Sequence, residues 1–228
     1  MTKQIKTKKR VADHGEVFTS EREVNAMLDL VKNETQRIDS RFLEPACGDG
    51  NFLIEILRRK LNVVKDKYKM NQFEYERYAV IAVSSCYGVD ILEDNCIECR
   101  ERLTNYFIKD YKSIYKENIN KKIIETVEYI FNRNIVCGDA LTMLQNNGKP
   151  IIFSEWSAVN GTKIKRRDYT LSNLLETESY YGESKNEEVS LFDYMRKQGT
   201  DILIPKAIAE FPIIDFDNIK IFEDDYEN

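Results

Sequence analysis

The chain has 228 residues, 42% hydrophobic and 32% charged with both signs interspersed, enough for one sizeable α/β domain with a small appendage. No apolar run approaches the roughly 18 residues that span a bilayer, and Met1 to Arg10 is polar and basic with no apolar core behind it, unlike a secretory signal; a cytoplasmic protein is the expectation. A formal net charge of −5 and a pI near 5.2 argue against a complete DNA-gripping enzyme, because a basic surface that neutralises phosphates supplies most of that affinity.

Residues 1–12 read as a flexible basic arm. Thr19 or Ser20 then offers an N-cap, with Glu21 and Glu23 in the first turn, for a helix to about Asn33 whose inward face is Val24, Met27, Leu28 and Val31. Phe42-Leu43 reads as a short buried strand, cut off by Pro45 and the turn Gly48-Asp49-Gly50. Phe52, Leu53, Ile56 and Leu57 give the next helix its apolar face. A charged connector is expected over Lys60–Met70, a helix over Gln72–Ser84 and a second strand at Tyr87–Ile91. Asp94–Tyr115 and Lys121–Phe131 are helical by periodicity, with Ile97, Leu103, Phe107 and Tyr111 inward. Asn134–Asp139 is a third strand. The alternation of strand and helix predicts a parallel doubly wound sheet, in one domain over residues 13–148.

The pattern changes after Gly148. Ile151–Val159 is strand-like, and Asn160-Gly161 is a strong signal for a tight hairpin, with Thr162–Tyr169 returning. Residues 170–200 look helical around an acidic loop at Gly182–Glu188. Ile202–Pro205 and Phe211–Ile214 offer one or two short strands. Residues 149–228 are therefore expected to be a hairpin and extension that completes the sheet or forms a partner interface.

Five scattered cysteines lack the spacing of a disulfide scaffold. Cys96-x-x-Cys99 is one pair, where a structural zinc site wants about four ligands. Spaced i, i+3 in a helical stretch, the two are expected on one buried helix face, and no metal is expected.

Chemistry concentrates at the predicted strand ends. Glu44 closes the first strand and Ala46-Cys47-Gly48-Asp49-Gly50 form a turn small enough for a ligand to approach the backbone. Asp90 closes the second strand with Ile91 beside it. Asp139, followed by Ala140, closes the third. Ligands of open α/β sheets bind at the carboxyl ends of strands, and S-adenosylmethionine, which carries an amino-acid end, a ribose diol and an adenine but no phosphate, suits three acids in series. A dinucleotide site would want G-x-G-x-x-G, yet Leu53 stands at the third glycine. Its ribose acid lies roughly 20 residues downstream, whereas Asp90 is 40 beyond Gly50. Asp90 alone could also serve the following helix terminus, and Phe18 is as readily a hydrophobic staple as a ligand contact.

Glu44-Pro-Ala-Cys-Gly-Asp-Gly-Asn-Phe52 resembles motif I of N6-adenine DNA methyltransferases of restriction–modification systems. Gly15-Glu-Val-Phe-Thr-Ser20 resembles their motif X in the γ-type order, with Ser20 in place of the usual proline. Gly88-Val-Asp-Ile91 and Gly138-Asp-Ala-Leu141 are similar to the two motifs that follow. The resemblance spans residues 11–145 and implies a Rossmann-like class I methyltransferase fold, to which the Asn160-Gly161 reading adds a C-terminal hairpin extension. It implies that Phe18 and Thr19 close over the methionine end of S-adenosylmethionine, which Glu44 and the turn Ala46, Cys47, Gly48 and Gly50 hold. Asp90 would then bind the ribose, Ile91 pack on the adenine, and Asp139 with Ala140 meet the adenine amine.

Such enzymes carry an Asn/Asp/Ser-Pro-Pro-aromatic loop that aims the target amine and stacks on the flipped base. None of the four prolines here is adjacent to another, so the loop is absent. Phe153-Ser-Glu-Trp-Ser157 stands at its place, where Trp156 could stack and Glu155 could accept, or where Trp156 simply fills a core. Lys163–Arg167 could meet phosphates or form an ordinary charged hairpin edge. The expectation is a cofactor-binding subunit that reaches DNA through a complex, with a second methyltransferase subunit bringing the catalytic loop. The alternatives are a self-sufficient methyltransferase on another substrate, or a non-catalytic cofactor-binding module.

Overall fold

The computed structural model describes residues 7–14, 16–179 and 205–221. The chain folds as an α/β structure around a mixed, mostly parallel sheet. Strands β1 (Phe42–Glu44), β2 (Cys86–Asp90) and β3 (Ile135–Asp139) run parallel in that spatial order. The two-residue β4 (Leu144–Gln145) pairs antiparallel on the outer edge of β3. Between β1 and β2 lie α4 (Asn51–Tyr68) and α5 (Gln72–Ser84); between β2 and β3 lie α6 (Glu93–Tyr115) and α7 (Lys121–Asn134).

Successive residues of a strand point to opposite faces, and β2 is buried along its whole length. Cys86 joins the main core with Leu53, Leu57, Leu61 and Val64 of α4, Leu103, Phe107 and Tyr111 of α6, and Ile123 and Val127 of α7. Tyr87 and Val89 belong to a second cluster with Ile151, Phe153 and Leu171. Helices were expected on both faces of the sheet; the second face is covered by the segment that follows β4, first by a hairpin and then by Leu171, Leu174 and Leu175 of the helix after it.

The hairpin consists of β5 (Ile152–Val159) and β6 (Lys163–Thr170), paired from Ile152↔Thr170 to Val159↔Lys163. The Asn160-Gly161 signal marks its turn, with Gly161 at φ +66°. Strands β7 (Ala209–Glu210) and β8 (Ile214–Asp215) add to β6. The hairpin thus builds a separate sheet and does not complete the first. It docks by side chains: Tyr87 donates its hydroxyl to the Ser154 carbonyl at 2.9 Å, and Trp156 Nε1 donates to Asn134 Oδ1 at 3.0 Å.

Several boundaries differ from expectation. The arm carries α1 (Lys8–His14), in which Arg10 pairs with Glu16 and with Asp94; residues 1–6 lie outside the described residues. The first long helix divides into α2 (Glu21–Asp29), started by a Ser20–Glu23 capping box, and α3 (Lys32–Thr35). Met27, Val31 and Ile97 are exposed, while Val24 and Leu28 are buried. The charged connector over Lys60–Met70 is mostly the second half of α4, since Leu61 and Val64 continue the stripe begun by Leu53 and Leu57. Helix α8 (Leu171–Ser179) opens the stretch expected as helical; the acidic loop Gly182–Glu188 and Ile202–Ile204 lie outside the described residues. No helix among the described residues is long and apolar enough to cross a membrane.

Candidate functional site

Parallel pairing brings the ends of β1, β2 and β3 to one edge of the sheet. The register Glu44↔Gly88 and Asp90↔Cys137 sets Asp90 beyond Glu44 and Asp139 beyond Asp90. The loop after β1 returns across β2, with the Cys47 amide donating to the Val89 carbonyl at 2.8 Å. It then turns through Gly48 at φ +53° and enters α4 at Gly50, φ +94°. Both conformations favour glycine. A Cβ at Gly50 would stand 2.7 Å from Cys99 Sγ, so the packing forbids a side chain as well.

Asp90 is 8% exposed and already well partnered. Its Oδ2 accepts the Gly48 amide at 2.9 Å, and its Oδ1 accepts the Leu92 amide at 2.9 Å and Asn95 Nδ2 at 3.1 Å. An ionised carboxylate has about four lone-pair sites, so roughly one remains for a ligand. The expected role at the start of α6 is therefore served by this side chain, through the Leu92 amide and Asn95.

The other expected residues divide. Phe18 lies on the loop, its ring 3.1 Å from where a Gly48 Cβ would be, and the Thr19 carbonyl accepts Asn51 Nδ2 at 3.2 Å. Glu44 accepts the Ala46 amide at 3.3 Å, and burial raises its pKa against that bond. The Cys47 side chain turns inward against Cys96 and Cys99, all three in the core, so the loop offers a ligand its backbone there. Cys96 and Cys99 occupy the expected buried helix face, and no group of residues able to hold a metal occurs among the described residues. Ile91 is 51% exposed beside Asp90. Asp139 accepts the Leu141 amide at 2.9 Å and the Thr142 hydroxyl at 3.1 Å within its own turn. Ala140 packs toward the second core cluster.

Four residues of the site were not foreseen. Arg102 of α6 donates to the Asp49 carbonyl at 2.6 Å, to its carboxylate at 2.5 Å, and to Asn51 Oδ1 at 2.9 Å, clamping the loop from outside. Arg10, Glu16 and Asn95 form a network that ends on Asp90. Glu16 lies within the Gly15–Ser20 motif and Asn95 five residues after a strand-end acid; Arg10 and Arg102 had no signal in the sequence.

Glu155 and Trp156 do not reach this edge. Trp156 is buried against Tyr129, and Glu155 pairs with Arg41 at 2.8 Å and with Arg167 at 3.7 Å. The basic cluster is neutralised in place: Lys163 pairs with Asp215, Lys165 with Glu210, Arg166 with Asp168. A cleft of about 350 Å³ beside α2–α4, around Asn25, Asp29, Arg59 and Asp66, contains none of the expected site residues. No family model, curated protein or solved structure matches the chain.

Proposed function

We propose that this chain binds S-adenosylmethionine at the carboxyl ends of β1–β3, as the cofactor-binding subunit of a DNA adenine-N6 methyltransferase completed by a partner chain. The fold reading that accompanies it is a Rossmann-like class I methyltransferase sheet, which the three parallel strands and the helices between them support. The observation that carries it is the acid at each of three adjacent strand ends, with a glycine-turned loop returning over the middle one. Asp90 retains acceptor capacity for a ribose hydroxyl, Ile91 offers an exposed apolar surface next to it, and the Gly48 region approaches any ligand with backbone alone. Phe18 would cover the amino-acid end. Once bound, the cofactor supplies an electrophilic methyl group; this chain's residues bind and orient it.

The dependence on a partner rests on the missing Pro-Pro loop and on the acidic net charge. The burial of Trp156 and the pairing of Glu155 support the same reading, since neither is free to receive an acceptor. Calorimetric titration with S-adenosylmethionine should give one site per chain. Radiolabelled methyl transfer to adenine-containing DNA should be absent for the chain alone and appear with a subunit that carries an Asn-Pro-Pro-Tyr loop. Robust methylation by the isolated chain would remove the split-enzyme reading, and absence of cofactor binding would remove the whole.

A further inference from the structure

We propose that Arg10, Glu16 and Asn95 are positioning residues that lock the segment Glu16–Ser20 and the Asp90 carboxylate into one unit across the mouth of the cofactor site. The inference rests on the cofactor reading above. Asn95 is 1% exposed, and its amide nitrogen donates to two acids from different parts of the chain, Glu16 Oε1 at 2.8 Å and Asp90 Oδ1 at 3.1 Å. Its amide oxygen accepts Arg10 Nη2 at 3.1 Å. Arg10 in turn holds Glu16 at 2.6 Å and Asp94 at 2.5 Å. The guanidinium fork thus fastens the N-terminal segment to the first turn of α6, a span of 84 residues in sequence.

The second fastening is at the other end of the same segment, where Asn51 holds the Thr19 carbonyl and Phe18 rests on Gly48. Pinned at both ends, Glu16–Ser20 is a strap whose position and the Asp90 rotamer are set together. Asp90 keeps roughly one acceptor site, so the direction of that site, and hence the ribose hydroxyl it takes, depends on where Asn95 holds Oδ1. Charge-assisted hydrogen bonds between partly buried groups are strong enough to fix such a geometry.

Amide exchange on the ligand-free full chain reads the lock directly. Arg10→Ala and Asn95→Ala should each speed exchange at the Gly48 and Leu92 amides by about tenfold and leave Val127 of α7 unchanged. Titration with S-adenosylhomocysteine should show each variant binding about tenfold more weakly, and the double variant far short of the product of the two losses, as coupled residues behave. Arg10→Lys should recover only part, because an ammonium lacks the fork. Unchanged exchange at Gly48 and Leu92 in both variants overturns the proposal. So does wild-type affinity in Arg10→Ala when Asp90→Ala has lost binding, an outcome that leaves the cofactor reading intact. Failure of the unaltered chain to bind S-adenosylhomocysteine overturns the cofactor reading and this inference together.

Discussion

The Gly48 amide donates to Asp90 Oδ2 across 2.9 Å, which ties the loop after β1 to the end of β2 through a charged acceptor. All three neighbours of that carboxylate are donors: the Gly48 and Leu92 amides and Asn95 Nδ2. Asp90→Asn must therefore turn its own NH2 toward a donor. The substitution should cost about 1–3 kcal/mol, nearly as much as Asp90→Ala, and a urea denaturation midpoint close to wild type would contradict this account.

Gly50 and Gly161 separate strain from crowding. Both have positive φ, but a Cβ at Gly50 meets Cys99 Sγ, whereas one at Gly161 meets nothing within 4 Å. Gly161→Ala should cost about 1 kcal/mol and Gly50→Ala about 2–4 kcal/mol. Adding Cys99→Ala should return part of the Gly50→Ala loss, since it opens space and leaves the backbone strained. Chemical denaturation of these three variants tests the ordering.

Lys60 makes stability depend on alkaline pH. The side chain is fully buried and donates to the Ser40 carbonyl and to Ser85 Oγ, and burial lowers its pKa from 10.5 to about 8. Between those values the unfolded chain binds more protons than the folded one, so stability rises with pH across the window. Between pH 7.5 and 9.5 the gain from this group should be about 2 kcal/mol. Lys60→Met should lack the gain; denaturation curves at the two pH values, compared between wild type and variant, check it.

Lys60 also shows where the sequence stops being legible. Its charge, with those of Lys65, Asp66, Lys67 and Lys69, reads as a connector, although Leu61 and Val64 carry the helical stripe onward. Where polar and apolar positions agree with the period, the reading succeeds: Asn71 caps α5, which spans Gln72–Ser84 as expected. The strand ends and the glycine loop were legible because turn geometry restricts residue type. The clamps Arg102 and Arg10 were not, because a long side chain can pair with any acid the fold brings near, and the partners lie 53 and 84 residues away.

Arg166 is a second buried charge that no local pattern announces. It is 1% exposed, paired with Asp168 at 2.8 and 2.9 Å, bonded to the Tyr129 hydroxyl and stacked 4.0 Å from the Phe211 ring centre. Asp168→Asn strands that guanidinium and should cost about 3–5 kcal/mol. Arg166→Met together with Asp168→Leu should be milder than the single change, despite the loss of the Ser154 and Arg133 bonds to Asp168. An equilibrium denaturation series would decide between them.

Helix α6 provides Asn95, Cys99 and Arg102, so the side chains that clamp the loop from its outer side are encoded after it. A fragment ending before Glu93 would contain the strap, the loop and Asp90 and still have no clamp. During synthesis at about 5–20 residues per second, the loop would wait several seconds for Arg102. A steadied loop is thus a late product of folding in this chain, reached only once α6 has docked.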